Sequence, residues 1–213
     1  MLLKEFDLDI PSLDKVERFD FANQIRCISS HYERYFHKRF HTPNFWKILV
    51  ECHDEESDEQ NTYLGVRVVK VRFDYEKYLN SSESERKKQA LASLHYGALK
   101  VAQHFDFDLE LFNFCNDSVV SDEYENQWIW KKPKSNKPRT HKVQVLCQHE
   151  MKSFVAELQV LNKSGDVVSR ETAFISEPNE FAFAANFGEL KWLSENQAAF
   201  YSKSRNLLAS ISI

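Results

Sequence analysis

Residues 127–149 read QWIWKKPKSNKPRTHKVQVLCQH, and this stretch decides the architecture of the second half of the chain. Trp128, Ile129 and Trp130 lead in, and Val143, Val145 and Cys147 lead out with the alternation of half-buried strands. Between them stand six cations, Lys131, Lys132, Lys134, Lys137, Arg139 and Lys142, without one Asp or Glu, in a chain of net charge -4. Pro133 and Pro138 make the segment extended and predict that it stays out of the sheet. The stretch therefore reads as two strands flanking a cationic loop.

Downstream, the pattern continues as antiparallel β-structure. A strand over about 153–161 is followed by the turn Asn162-Lys163-Ser164-Gly165-Asp166, where Gly165 supplies a positive φ, and by a return strand over about 167–176. Leu190 with Trp192, residues 198–201, and Leu207, Ala209, Ile211 and Ile213 mark three more short strands.

Upstream, helices dominate. Residues 2–10 alternate loosely as a short strand that Pro11 ends. The recurrence of Val16, Phe19, Ala22, Ile25, Ile28, Tyr32 and Phe36 predicts a helix over about 13–38 with these residues on its inner stripe. Residues 45–52 read as a strand, and residues 54–59 as an acidic loop. From Tyr63 to Phe73 the apolar parity changes at Val68 and Val69, which predicts a β-bulge. Ser82 or Ser84 caps a helix over about 83–105, and Asp108 caps another that ends near Tyr124. The fold class is thus α+β: a single domain, 1–213, with a mostly antiparallel sheet, a C-terminal meander, and about three helices from the first half packed on one face.

Composition narrows the functional classes. Four Gly are too few for glycine-rich phosphate cradles, and 17 Phe, 8 Tyr and 4 Trp predict a core filled by rings. Lys4, Glu5, Asp7 and Asp9 stand where a signal peptide needs its apolar segment, and no run is long enough to span a membrane. Cys27, Cys52, Cys115 and Cys147 form no C-x-x-C pair and read as free thiols in a reducing, cytoplasmic compartment.

No catalytic or cofactor motif is present. His37 and His41 lie at helical i and i+4, but Lys38 occupies the position of a general base and, with Arg39, repels a metal. Asp7/Asp9 and Asp106/Asp108 form short D-x-D patterns that arise by chance in a chain of 32 acids. Cys147 and His149 share a strand face, a spacing that suits burial better than thiolate chemistry. The expectation is a protein that is no enzyme, with neither metal nor cofactor.

Two charged loops remain as candidate binding residues. One is acidic, with Asp54, Glu55, Glu56, Asp58 and Glu59, and suits a basic partner. The other is basic, with Lys131, Lys132, Lys134, Lys137 and Arg139, and suits an acidic one. Trp128 and Trp130 beside the basic 131–142 loop offer a second reading, a nucleic-acid or nucleotide-binding surface, although rings at alternate strand positions are usually core.

The segments FDYEKYL (73–79), LHYGALKVAQHFDFD (94–108), NQWIWKKPK (126–134) and FGELKWLS (187–194) resemble a group of small uncharacterised bacterial proteins. Those proteins are similar in style to the immunity proteins paired with polymorphic toxins. The resemblance rests on the spacing of aromatic residues and leaves the first 60 residues outside it. It implies a cytoplasmic antidote that blocks a cognate toxin by direct binding, and it carries no functional residues of its own.

Overall fold

The computed structural model describes residues 1–36 and 40–213. Contacts divide the chain into two compact units, Met1–Asn126 and Gln127–Ile213.

The first unit runs β1 (Glu5–Asp9), α1 (Lys15–Phe36), β2 (Lys47–His53), β3 (Gln60–Tyr63), β4 (Val66–Arg72), α2 (Tyr75–Leu79), α3 (Glu83–His104) and α4 (Glu110–Ser121). Its sheet has the order β1-β2-β4-β3, with β1, β2 and β4 parallel and only β3 antiparallel to its neighbour. The expected antiparallel pairing is therefore corrected here to a mixed sheet. The reason is the crossover: a helix between β1 and β2 returns the chain in the same direction, which a tight turn does not do.

Register places Phe6, Ile48 and Arg67 in one row, and Leu8, Val50 and Val69 in the next, all on the inward face. Phe6 meets Tyr32 and Phe36 of α1 edge-on at 5.1 and 4.9 Å. Val50 lies against α3, where a Cβ on Gly97 would come within 2.5 Å of it. Both long helices thus cover the same face of the sheet.

Two local expectations are corrected. The first turns of α1 leave Val16 and Phe19 69% and 59% exposed, while Phe21, Ile25, Ile28, Tyr32 and Phe36 are buried. Phe19 and Phe21 lie about 200° apart around a helix, so one inward stripe admits only one of them. Nor does β4 bulge; it pairs with β2 without a break from Val66 to Arg72. The parity change arises because Arg67 takes an inward position. Its guanidinium donates to Gln60 Oε1 at 2.9 Å and Thr62 Oγ1 at 3.2 Å and stands 4.8 Å from the Phe105 ring. The turn from β3 to β4 uses left-handed Leu64 (φ 50) and Gly65 (φ 81), the backbone that two-residue hairpins favour.

The Ser82 helix signal agrees with the structure. Ser82 caps α3 by accepting the Glu85 N–H at 3.3 Å, and Leu91, Leu94, Ala98 and Val101 are buried. The Asp108 signal is corrected by one residue: Leu109 stands at the N-cap of α4 without a side-chain cap bond, and Asp108 accepts the Glu110 N–H at 2.9 Å just before it.

The second unit is antiparallel throughout. A five-stranded sheet has β5 (Asn126–Ile129), β7 (Lys142–His149), β8 (Phe154–Leu161) and β9 (Val167–Ser176) in order, with β6 (Lys134–Ser135) also on β7. A three-stranded sheet holds β10 (Glu189–Trp192), β11 (Gln197–Tyr201) and β12 (Leu207–Ser212). Val143, Val145, Phe154 and Leu158 from one sheet and Ala198, Phe200 and Ile211 from the other form one buried cluster. A short helix, α5 (Glu180–Phe183), and a 3-10 turn (Ala184–Asn186) join the sheets; the sequence reading gave them no element. Phe183 of α5 stacks on Phe154 at 3.9 Å between ring centroids, which explains why this apolar segment packs rather than pairs.

All four cysteines are free and buried. Among the described residues no helix is long and apolar enough to cross a membrane.

The contact at Gly97 gives a test of the packing. Gly97→Ala gains about 1 kcal/mol of helix propensity, but its methyl must displace the β-branched side chain of fully buried Val50. Overpacking costs about 1–3 kcal/mol, so the propensity gain is cancelled or outweighed and urea denaturation should show no gain and a net loss of stability of up to about 2 kcal/mol.

Candidate functional site

The basic loop is wired into its unit rather than hanging from it. Trp128 and Trp130 pack against the core cluster, Trp128 on Phe154 at 5.7 Å and Trp130 on Phe187 and Phe200, each at 5.3 Å. Contrary to the expectation from its two prolines, the loop enters the sheet between them, where Lys134 pairs with Val143 and Ser135 with Lys142. Neither paired residue is a proline, so the ladder loses no donor.

Buried Asn136 then closes the loop. Its Oδ1 accepts the N–H groups of Thr140 (2.9 Å) and His141 (3.1 Å), and its Nδ2 donates to Thr140 Oγ1 and to the Glu195 carbonyl, each at 3.0 Å. Trp192 Nε1 donates to the Lys134 carbonyl at 2.8 Å. Lys131, Lys132, Lys134, Lys137, Arg139 and Lys142 are all exposed. Among the described residues none of the six has an ion pair with a carboxylate. Lys131 Nζ lies 4.2 Å from the centre of the Trp130 ring.

The acidic loop, in the first unit, is built differently. Lys100 of α3 reaches it and donates to Glu56 Oε1 at 2.6 Å and the Ser57 carbonyl at 2.7 Å, with Asp58 at 3.5 Å. Glu56 also accepts the Arg72 N–H at 3.0 Å. Partial burial works against the Glu56 carboxylate, yet these donors outweigh it and hold its pKa below the usual range. Lys70 bonds Glu59 at 2.6 Å and lowers it likewise. Asp54 and Glu55 remain exposed. Three of the five carboxylates, Glu56, Asp58 and Glu59, are therefore paired with lysines of their own unit.

The other candidate chemistry falls into structural roles. His37 lies outside the described residues, and His41 is exposed. Asp7 pairs with Lys47 at 2.7 Å and Asp9 with Arg18, so the Asp7/Asp9 pattern is not an open ligand set. Among the described residues no three His, Cys, Asp or Glu side chains gather as metal ligands. His149 is buried with Nε2 3.0 Å from the Pro178 carbonyl and its ring edge-on to Phe154 and Phe183.

A second group of cations went unnoticed in the sequence. Lys191, Lys203 and Arg205 line a cleft of about 570 Å³ with Phe187, Gly188 and Tyr201. Its only sequence signal is the pair of charges in Lys203-Ser204-Arg205, too short to stand out before the strands are placed. Compared with known protein families, with curated proteins and with solved structures, the chain matches none.

One buried titratable cluster sits in the first unit. His31 Nε2 lies 2.8 Å from Asp122 Oδ2, the oxygen that also accepts the Tyr35 hydroxyl, and the ring is fully buried. Desolvation pushes its pKa down to about 4, against the pull of Asp122 and with the help of Arg34. In the unfolded chain the ring titrates near 6.5, so between about 6.5 and 4 only the unfolded state takes the proton. Stability should fall as pH drops through that window, by up to about 3 kcal/mol from this group. Denaturation curves at pH 7 and 4.5 measure the fall, and His31→Gln should flatten it. For the basic loop, Asn136→Ala removes four side-chain hydrogen bonds, should cost about 2 kcal/mol, and should speed amide exchange at Thr140 and His141.

Proposed function

We propose that the protein is a non-catalytic binding protein whose basic 131–142 loop recognises an acidic surface on a partner protein. The observation that carries this reading is the contrast between the loops. Six exposed cations stand without carboxylate partners among the described residues, on a backbone fixed by a ladder and by Asn136, whereas Glu56 and Glu59 are already bound to Lys100 and Lys70. Uncompensated charge steers a partner by its long-range field, and a fixed backbone lowers the entropy lost on docking. An immunity-type antidote in the bacterial cytoplasm, neutralising a cognate toxin by direct binding, is the concrete form we favour.

Unpaired cations also suit phosphates, so a nucleic acid is the second reading. Against it, Trp128 and Trp130 lean on the core cluster and Lys131 covers Trp130, which leaves little ring face for base stacking.

The test is co-expression with the product of the neighbouring gene, scored by relief of growth inhibition and by capture. Lys132→Glu, Lys134→Glu and Lys137→Glu together should slow association by about tenfold or more at low salt and abolish relief. Asp54→Lys with Glu55→Lys should leave both intact. Unchanged capture by the triple variant would remove the loop from the interface. Binding of single-stranded oligonucleotides whose log affinity falls linearly with log salt would favour the second reading instead.

A further inference from the structure

Gly188 sets the geometry of the cleft found beside the basic loop. Its N–H donates to the Tyr201 carbonyl at 3.0 Å. A Cβ at this position would come within 2.1 Å of the Ser202 carbonyl oxygen and 2.7 Å of the Lys203 nitrogen, both backbone atoms. The segment before β10 and the turn after β11 therefore approach as closely as only glycine allows. That contact brings Lys191, Lys203 and Arg205 around one concavity of about 570 Å³.

The turn is rigidly held. Ser202 N–H donates to the Asn206 carbonyl at 2.9 Å, Arg205 N–H to the Ser202 carbonyl at 3.0 Å, and Lys203 N–H to the Ala185 carbonyl at 3.0 Å. Arg205 has a left-handed backbone, φ 66, where glycine or asparagine is the usual occupant. Lys203 and Arg205 are exposed and, among the described residues, have no carboxylate partner. Lys191 lies 4.6 Å from the centre of the Tyr201 ring and 3.3 Å from Glu189, the one acid of the lining. A separate, smaller hollow that shares Gly188 and Glu189 is lined by Lys131, Lys132 and Lys134.

We propose that this cleft is a binding site for a small molecule bearing a diphosphate or triphosphate chain. Three cations against one carboxylate leave two positive charges uncompensated within the cleft, which a single carboxylate does not balance and a diphosphate does. The volume lies within the roughly 300–1,000 Å³ of small-molecule sites. Because Lys191 already covers the Tyr201 ring, recognition falls on the phosphate chain rather than on a stacked base.

Titration calorimetry of the full chain with inorganic tripolyphosphate, at about 0.1 M salt, tests the site. One molecule should bind per chain, with affinity falling about tenfold for each cation removed, as for a lost charge-assisted hydrogen bond. The variants are Lys203→Ala and Arg205→Gly, the second of which suits the left-handed backbone and so keeps the turn folded. ATP binding more tightly than tripolyphosphate assigns the ligand to the nucleotides, and equal affinity assigns it to the bare chain; both support the site. No binding at about 1 mM, or affinity unchanged in the double variant, overturns it. Neither residue belongs to the 131–142 loop, so failure here leaves the partner-binding reading standing.

Discussion

Phe154 is the residue on which the second unit depends. It is fully buried and touches five rings: Trp128, His149, Phe174, Phe183 and Phe187. Phe187 in turn meets Trp130 and Phe200. One aromatic network therefore anchors both the strand that feeds the basic loop and the segment that runs into Gly188. Planar rings with few rotamers transmit position well, and the two cationic features take their places from this network.

Charge is handled in opposite ways in the two units. In the first, carboxylates and lysines meet across strands and helices, as at Asp7 with Lys47 and Glu56 with Lys100. Such pairs contribute little to stability when exposed, but they cancel the local field. In the second unit Lys191 pairs with Glu189, whereas among the described residues the cations of the basic loop, Lys203 and Arg205 have no carboxylate partner. A near-neutral total thus conceals a strongly polarised surface, which is why the net charge of -4 says nothing about partners.

Much of the architecture was legible because its signals are local. Ser82 followed by acidic residues and a clean apolar stripe announces α3, and Gly165 in its turn announces the β8–β9 hairpin. Parallel pairing of β1 with β2 was not legible, since the partner lies some forty residues away and nothing in five residues encodes it. Arg67 defeated the parity rule because its inward position is made possible by Gln60, Thr62 and Phe105, which the alternation does not display. The cations of the basic loop stand in one run and were visible. The ladder at Lys134 and the closure by Asn136 depend on β7 and on Glu195, and the Gly188 cleft depends on two strands being brought together.

Seven non-glycine residues among those described have a left-handed backbone, and three of them are the cations Lys131, Arg139 and Arg205. Glycine at each would relieve strain on the order of 1 kcal/mol, partly offset by its greater freedom in the unfolded chain. Mutational drift toward glycine is thus nearly neutral or favourable for folding at these three sites, and costly only to the charge. Retention of a basic side chain there in descendants of this sequence would record selection on what the surface binds, separated from selection on the fold.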